Sequence, residues 1–219
     1  MRNLLLASIA ILSCLHITQA QNIEVEAEDF FVVELFTSEG CSSCPSREDF
    51  MTQLINDQSL ADKNFIAIAE HVTYWDYLGW TDPFGKTLFN NRQYAYTAKI
   101  GTGNYTPMYV INGTKATSST SVLSNDLANA FNNTPTVGVS LEVASDPHGN
   151  TVDINYEVVG APANSSIAVV LIESNLSTNV TAGENHGKTL HHENVTRDFR
   201  VKGLLSNSGT ITVMVPSTV

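Results

Sequence analysis

The stretch FFVVELFTSEGCSSCPSREDF, residues 30–50, restricts the fold more than any other. Its first seven residues are apolar except for Glu34, as expected of a strand buried on both faces. Pro45 then opens a helix, since a missing N–H costs nothing in a first turn, and Phe50, Met51, Leu54 and Ile55 fall on one side at helical spacing. Cys41 and Cys44 are therefore expected where a strand ends and a helix begins. Such a pair is a redox dithiol, part of a metal site or a structural clip. A clip between residues three apart closes almost no loop and so gains little chain-entropy stabilisation.

The compartment follows from the leader. Arg2, the apolar LLLASIAIL and TQA ending at Ala20 have the order of a signal peptide over residues 1–20. The apolar run is too short to span a bilayer, and no transmembrane segment is expected after its removal. Cleavage also removes Cys14, leaving Cys41 and Cys44 in a periplasmic or secreted protein where disulfides persist. Lipid modification of Cys14 is the alternative. A formal net charge of -11, with no cluster of Lys and Arg, excludes a nucleic-acid partner. No phosphate-binding glycine loop is present, and no cofactor is implied.

Beyond the first helix, NFIAIAEHV (64–72) predicts a second strand. A helix runs from near Pro83 to just before Gly101, and TPMYVING supplies a third strand with a hairpin turn at Asn112-Gly113. SVLSNDLANAFNN (121–133) is a short helix. The order β-α-β-α-β-β-α, with CxxC after the first strand and Pro107 opening the third, is the thioredoxin pattern. From Thr134-Pro135 the texture becomes short, alternating and β-branched, punctuated by Gly, Asn and Asp. The expectation is an α/β protein: a thioredoxin-like domain over 30–133, then a small antiparallel, sandwich-like β-rich domain over 136–219. The later strands are expected to form a sheet of their own.

Helix N-termini favour thiolate over thiol, so Cys41 is expected to attack and Cys44, one turn on, to resolve. Arg47 adds local positive charge, opposed by Glu39, Glu48 and Asp49. Thr106-Pro107 is expected to be cis beside the dithiol, where its backbone positions an extended substrate. His71 ends an apolar strand and reads either as a satisfied strand-end histidine or as a group facing the cysteines. Tyr74, Trp75, Tyr77 and Trp80 read as packing, with Asp76 anchoring their loop. A metal site would use Cys41, Cys44 and His71, a soft set suited to copper or zinc. His186, His191 and His192 fall in the other domain, and adjacent histidines on a strand face opposite ways.

VVELFTSEGCSSCP, HVTYWDYLGWTDPF, RQYAYTAKIGTGNYTPMYVING and GENHGKTLHHENVTR, in that order, resemble a bacterial exported family of unknown function, domain of unknown function 1223. The resemblance runs from about Phe31 to near the C-terminus. It implies a thioredoxin-like fold and an exported CxxC protein, and names no substrate. Ser46 stands where the family commonly has a second proline, Glu70 where an apolar residue precedes the histidine, and Thr73 where an acid follows Val72. These departures alter the local charge and leave CxxC and Thr-Pro intact. The function expected is an exported thiol–disulfide oxidoreductase using Cys41, Cys44, Thr106 and Pro107. Its partners would be exported protein thiols or disulfides and a redox partner. The alternatives are a copper-binding metallochaperone and a non-catalytic interaction module.

Overall fold

Alternation along the first strand sets the layers of the protein. A computed structural model describes residues 30–131, 136–143 and 150–215; Cys14 and the expected signal peptide lie outside the described residues, as does the expected boundary at Thr134-Pro135. Six strands form one mixed sheet, in the order β4 (Lys115–Thr117), β3 (Met108–Ile111), β1 (Phe30–Thr37), β2 (Asn64–His71), β10 (Val195–Gly203) and β7 (Ser166–Glu173). β1 runs parallel to β2 and antiparallel to β3, which accounts for its apolar run.

Successive strand residues point to opposite faces. Phe31, Val33 and Leu35 pack with Met51 of α1 (Pro45–Ile55) and with Leu123 and Leu127 of α3 (Thr120–Ala128). Phe36 packs on the other face with Phe89 of α2 (Thr87–Ile100). The same parity on β2 assigns His71 to the α1 side, with Ala67 and Ala69. Glu70 goes to the α2 side, where its Oε1 is 3.2 Å from Arg92 Nε.

Two helices are shorter than the sequence suggests. α2 starts at Thr87 rather than near Pro83, because Asp82 organises a turn instead: its Oδ1 accepts from Phe84 N–H at 2.9 Å and its carbonyl from Gly85 N–H at 3.0 Å. α3 ends at Ala128, where the Asn129 side chain donates to the Asn125 carbonyl at 2.7 Å.

The later strands do not all form a separate sheet. β5 (Gly138–Val143), β6 (Thr151–Val159) and β11 (Ser208–Met214) do form an antiparallel sheet, packed through Tyr156, Val158, Ile211 and Val213 on Ile167 and Val169 of β7. β7 and β10, however, extend the first sheet. Ala69 N–H donates to the Asn194 carbonyl at 2.9 Å, and the Asn194 side chain donates to the Ala67 carbonyl at 2.9 Å. Without β10, β2 would be an open edge with unpaired backbone groups, and the buried start of β10 covers it. A short hairpin of β8 (Leu176–Asn179) and β9 (Thr189–His192) completes the fold, and α1 packs against β9. No helix among the described residues is long and apolar enough to cross a membrane.

Candidate functional site

Cys41 and Cys44 form a disulfide with Cα atoms 5.5 Å apart, in the connection from β1 to α1. The start of α1 at Pro45 makes Cys44 the N-cap, with Cys41 in the turn before it. That differs from the expected placement of Cys41 at the helix terminus; the first-turn proline fixes the boundary one residue after Cys44. Cys44 N–H donates to the Cys41 carbonyl at 3.2 Å, and Arg47 and Glu48 N–H donate to the Cys44 carbonyl at 2.8 and 3.1 Å. The Ser43 hydroxyl lies 3.5 Å from Cys41 Sγ. Arg47 turns away to the Ser118 carbonyl, which its Nε reaches at 2.9 Å, so it does not face the sulfurs.

The Thr106–Pro107 bond is cis. Met108 pairs with Phe36, so this dipeptide sits at the sheet end from which the cysteine loop departs. Trp75 joins the two: its Nε1–H donates to Thr106 Oγ1 at 2.7 Å, while a Cβ on Gly40 would lie 2.8 Å from Trp75 Cβ. The other residues of that loop also hold structure. Tyr74 donates to Gln93, Trp80 Nε1–H donates to Glu39 Oε2 at 2.7 Å, and Asp76 Oδ1 accepts from Asp82 N–H at 3.3 Å. Tyr77 is exposed.

Both cysteines are buried, Cys41 at 1% and Cys44 at 0% exposure, so the sulfur expected to attack is no more open than the one expected to resolve. The turn between β8 and β9 covers them. Asn185 Nδ2 donates to the carbonyls of Glu39 at 2.7 Å and Cys41 at 3.0 Å, and Ser42 N–H donates to Glu184 Oε2 at 2.9 Å. Lys188 holds Asn185 in place by donating to its Oδ1 at 2.9 Å.

His192, at the end of β9, belongs to a buried charged network. His192 Nδ1 is 2.5 Å from Glu48 Oε2 and its Nε2 is 2.9 Å from Glu39 Oε1. His71 Nδ1 is 2.8 Å from Asp82 Oδ2, which also accepts from Glu39 N–H at 2.8 Å. Thr37 donates its hydroxyl to Glu48 Oε1. The His71 and His192 rings are 5.0 Å apart, and Phe84 stands 5.3 Å from each. Burial alone would lower the His192 pKa, but hydrogen bonds to Glu39 and Glu48 and their charges raise it to about 10. Burial likewise pulls His71 down, and the charge and hydrogen bond of Asp82 lift it above the usual histidine value. Burial pushes Glu48 and Asp82 up, and their histidine partners hold both below the usual carboxylate range.

His71 thus meets Glu48 and His192, and among the described residues the group that brings metal-ligating atoms together contains neither cysteine. His192 faces inward and His191 is exposed, the alternation expected of a strand. Glu39, Glu48, Asp82 and His192 escaped the sequence reading as site residues. The HH pair and the Asp of TDPF were the available signals, and neither says what it will meet.

The profile of a family described as a protein of unknown function, DUF1223, matches residues 32–219. The chain belongs to this family. The DUF1223 match takes in the disulfide, the Thr106-Pro107 turn and the covering hairpin. The crystal structure of an Agrobacterium tumefaciens protein, a structural-genomics target, is similar with a TM-score of 0.58 and 24% identity, over 86% of this chain and 80% of that one. HBP35 of Porphyromonas gingivalis is similar with a TM-score of 0.59 and 15% identity, over 87% of this chain and 65% of that one. At these identities the likeness concerns the fold. The DUF1223 chain spans about two thirds of HBP35, 65% of its length. No curated protein matches it.

Proposed function

We propose that this protein is an exported thiol–disulfide oxidoreductase with a thioredoxin-like arrangement around its CxxC. The observation that carries the reading is the Cys41–Cys44 disulfide at the β1–α1 junction, with Trp75 set between Gly40 of its loop and the Thr106 hydroxyl. The export part rests on the leader, residues 1–20.

Starting from the disulfide, a substrate thiolate attacks Cys41 Sγ, a mixed disulfide forms, and Cys44 leaves as thiolate. A second substrate thiolate then attacks the substrate sulfur of that mixed disulfide and releases Cys41. The substrate loses two electrons and two protons, and the protein gains a dithiol. A protein disulfide of sufficient potential drives the same steps backwards. The Ser43 hydroxyl stands where it donates to a Cys41 thiolate. Either direction requires the buried sulfurs to become accessible, and the β8–β9 turn is hydrogen-bonded to the loop that holds them.

Burial of both sulfurs favours a second reading, an inert clip within an interaction module. One experiment separates the two. A Cys44→Ser variant expressed in the native compartment is expected to accumulate covalent complexes with exported proteins, and Cys41→Ser is not. Wild-type protein is expected to exchange with glutathione disulfide after reduction. Absence of trapped complexes together with absence of exchange assigns the clip; trapping by Cys41→Ser alone reverses the two roles.

A further inference from the structure

Disulfide exchange as drawn above uses neither His71 nor His192. Glu48 reaches them from α1, His71 from the end of β2 and His192 from the end of β9. Each offers a ligating atom, and the three atoms lie within 4.8 Å of one another. All three residues are buried. Two hydrogen-bonded ion pairs would be a sufficient account if every polar atom had a partner. His71 Nε2 does not: it is buried and makes no hydrogen bond, although its side chain is wholly enclosed. A buried ring nitrogen without a partner is a rare and costly arrangement.

The surroundings of the two rings point the same way. A metal-ligating histidine nearly always gives its other ring nitrogen to a carboxylate or carbonyl, which fixes its orientation. Here His71 Nδ1 rests on Asp82, and His192 Nε2 rests on Glu39. That leaves as the donor set His71 Nε2, which has no partner, together with His192 Nδ1 and the Glu48 carboxylate, which are bonded to each other.

We propose that Glu48, His71 and His192 form a binding site for a divalent transition-metal ion of the zinc type, with Asp82 and Glu39 as positioning residues. Two imidazoles and one carboxylate suit zinc and its neighbours, not the thiolate-seeking cuprous ion nor calcium and magnesium, which take oxygen ligands. Donors bonded at about 2.0–2.1 Å to a tetrahedral ion stand about 3.4 Å apart, a spacing that falls within the 4.8 Å span of one ligating atom from each residue. Glu48 Oε2 and His192 Nδ1, now 2.5 Å apart, separate to admit the ion, which takes the place of the Nδ1 proton, released to solvent. A cavity of about 110 Å³, lined by Pro45, Glu48, Asp49, Leu190, His191 and His192, reaches two of the three ligands and provides an entry path. The fourth coordination position is left to water or an exogenous ligand. The cysteines take no part, so the site stands apart from the oxidoreductase reading.

Untagged, disulfide-bonded protein loaded with Zn²⁺ and freed of excess by gel filtration is expected to retain one ion per chain by elemental analysis. Co²⁺ loading is expected to give visible d–d absorption with no thiolate charge-transfer band, a readout that needs no variant. The Cys41→Ser/Cys44→Ser double variant is expected to bind equally. His71→Ala and Glu48→Gln, checked for folding by circular dichroism, are expected to lose the ion, and Asp82→Asn to weaken binding about 10- to 100-fold. Folded wild-type protein that retains neither ion overturns the proposal. So does a thiolate band that vanishes in the cysteine variant while His71→Ala still binds, since the dithiol would then be the metal site.

Discussion

Asn185 reaches across 144 residues of chain to donate its side-chain amide to the carbonyl of Cys41, at 3.0 Å. The same amide serves the Glu39 carbonyl at 2.7 Å, so one side chain holds the β8–β9 turn over the disulfide. Two such bonds contribute about 1–3 kcal/mol to closure, at about 0.5–1.5 each. Asn185→Ala is therefore expected to raise the rate of Cys41–Cys44 reduction by a phosphine about 5- to 150-fold, because reagent access follows the open population. An unchanged rate would mean that the sulfurs are reached by another route.

Glu184 makes the cover sensitive to acid. The hydrogen bonds from Ser42 hold its carboxyl below the ordinary glutamate range. A carboxyl with a lower pKa in the closed form favours closure at pH values above its free pKa. That contribution disappears as pH falls through the depressed value. The protection factor of the Ser42 amide in hydrogen exchange is expected to be high near neutrality and to fall on acidification. Glu184→Gln should flatten that pH dependence. A wild-type protection factor that does not change across the carboxylate range counts against this latch.

The legible parts of the fold were local ones. The apolar run of β1, the cysteines after it and Pro45 at the head of α1 lie within a few residues of one another, and each acts on its neighbours. Thr106-Pro107 was legible through the order of elements, which puts a proline at the head of β3. His192 was not, because its partners Glu48 and Glu39 lie 144 and 153 residues away in the chain. Alternation on β9 separates His191 from His192 without saying which one turns inward. The pairing of β10 with β2 was hidden likewise, since a change in composition after Pro135 marks a change of texture, and strand pairing is set by which open edge remains. The position of Cys44 as N-cap depended on a single-residue boundary, the scale at which helix ends are least determined by sequence.

His191 and His192 provide a paired test of the charged interior. His192 separates two buried carboxylates, and removing it leaves both without their cationic partner. His192→Ala is expected to destabilise the disulfide-bonded protein by about 3–5 kcal/mol. His191 is exposed, and His191→Ala is expected to change stability by no more than about 0.5 kcal/mol. Urea denaturation in the presence of chelator measures both without a contribution from bound metal. Equal effects from the two substitutions would show that the Glu39–His192–Glu48 chain carries little stability.

Gly40 tests how closely the cysteine loop and the Thr106-Pro107 turn are joined. A Cβ there would stand 2.8 Å from Trp75 Cβ and 3.2 Å from the Trp75 carbonyl oxygen. Neither atom lies at the end of a flexible side chain, so relief requires the loop or the Trp75 backbone to shift. Trp75 is meanwhile held by its indole hydrogen bond to Thr106. Gly40→Ala is expected to cost about 1–3 kcal/mol by overpacking and to loosen the indole from Thr106. Gly103→Ala is the control, because nothing lies within 4 Å of the added carbon. It is expected to be neutral or to stabilise by about 0.4–1 kcal/mol through the unfolded chain. Thermal unfolding compares the two, and phosphine reduction of the disulfide reports on the loop itself. If Gly40→Ala leaves both stability and reduction rate at the Gly103→Ala level, Trp75 does not couple the dithiol to the proline turn.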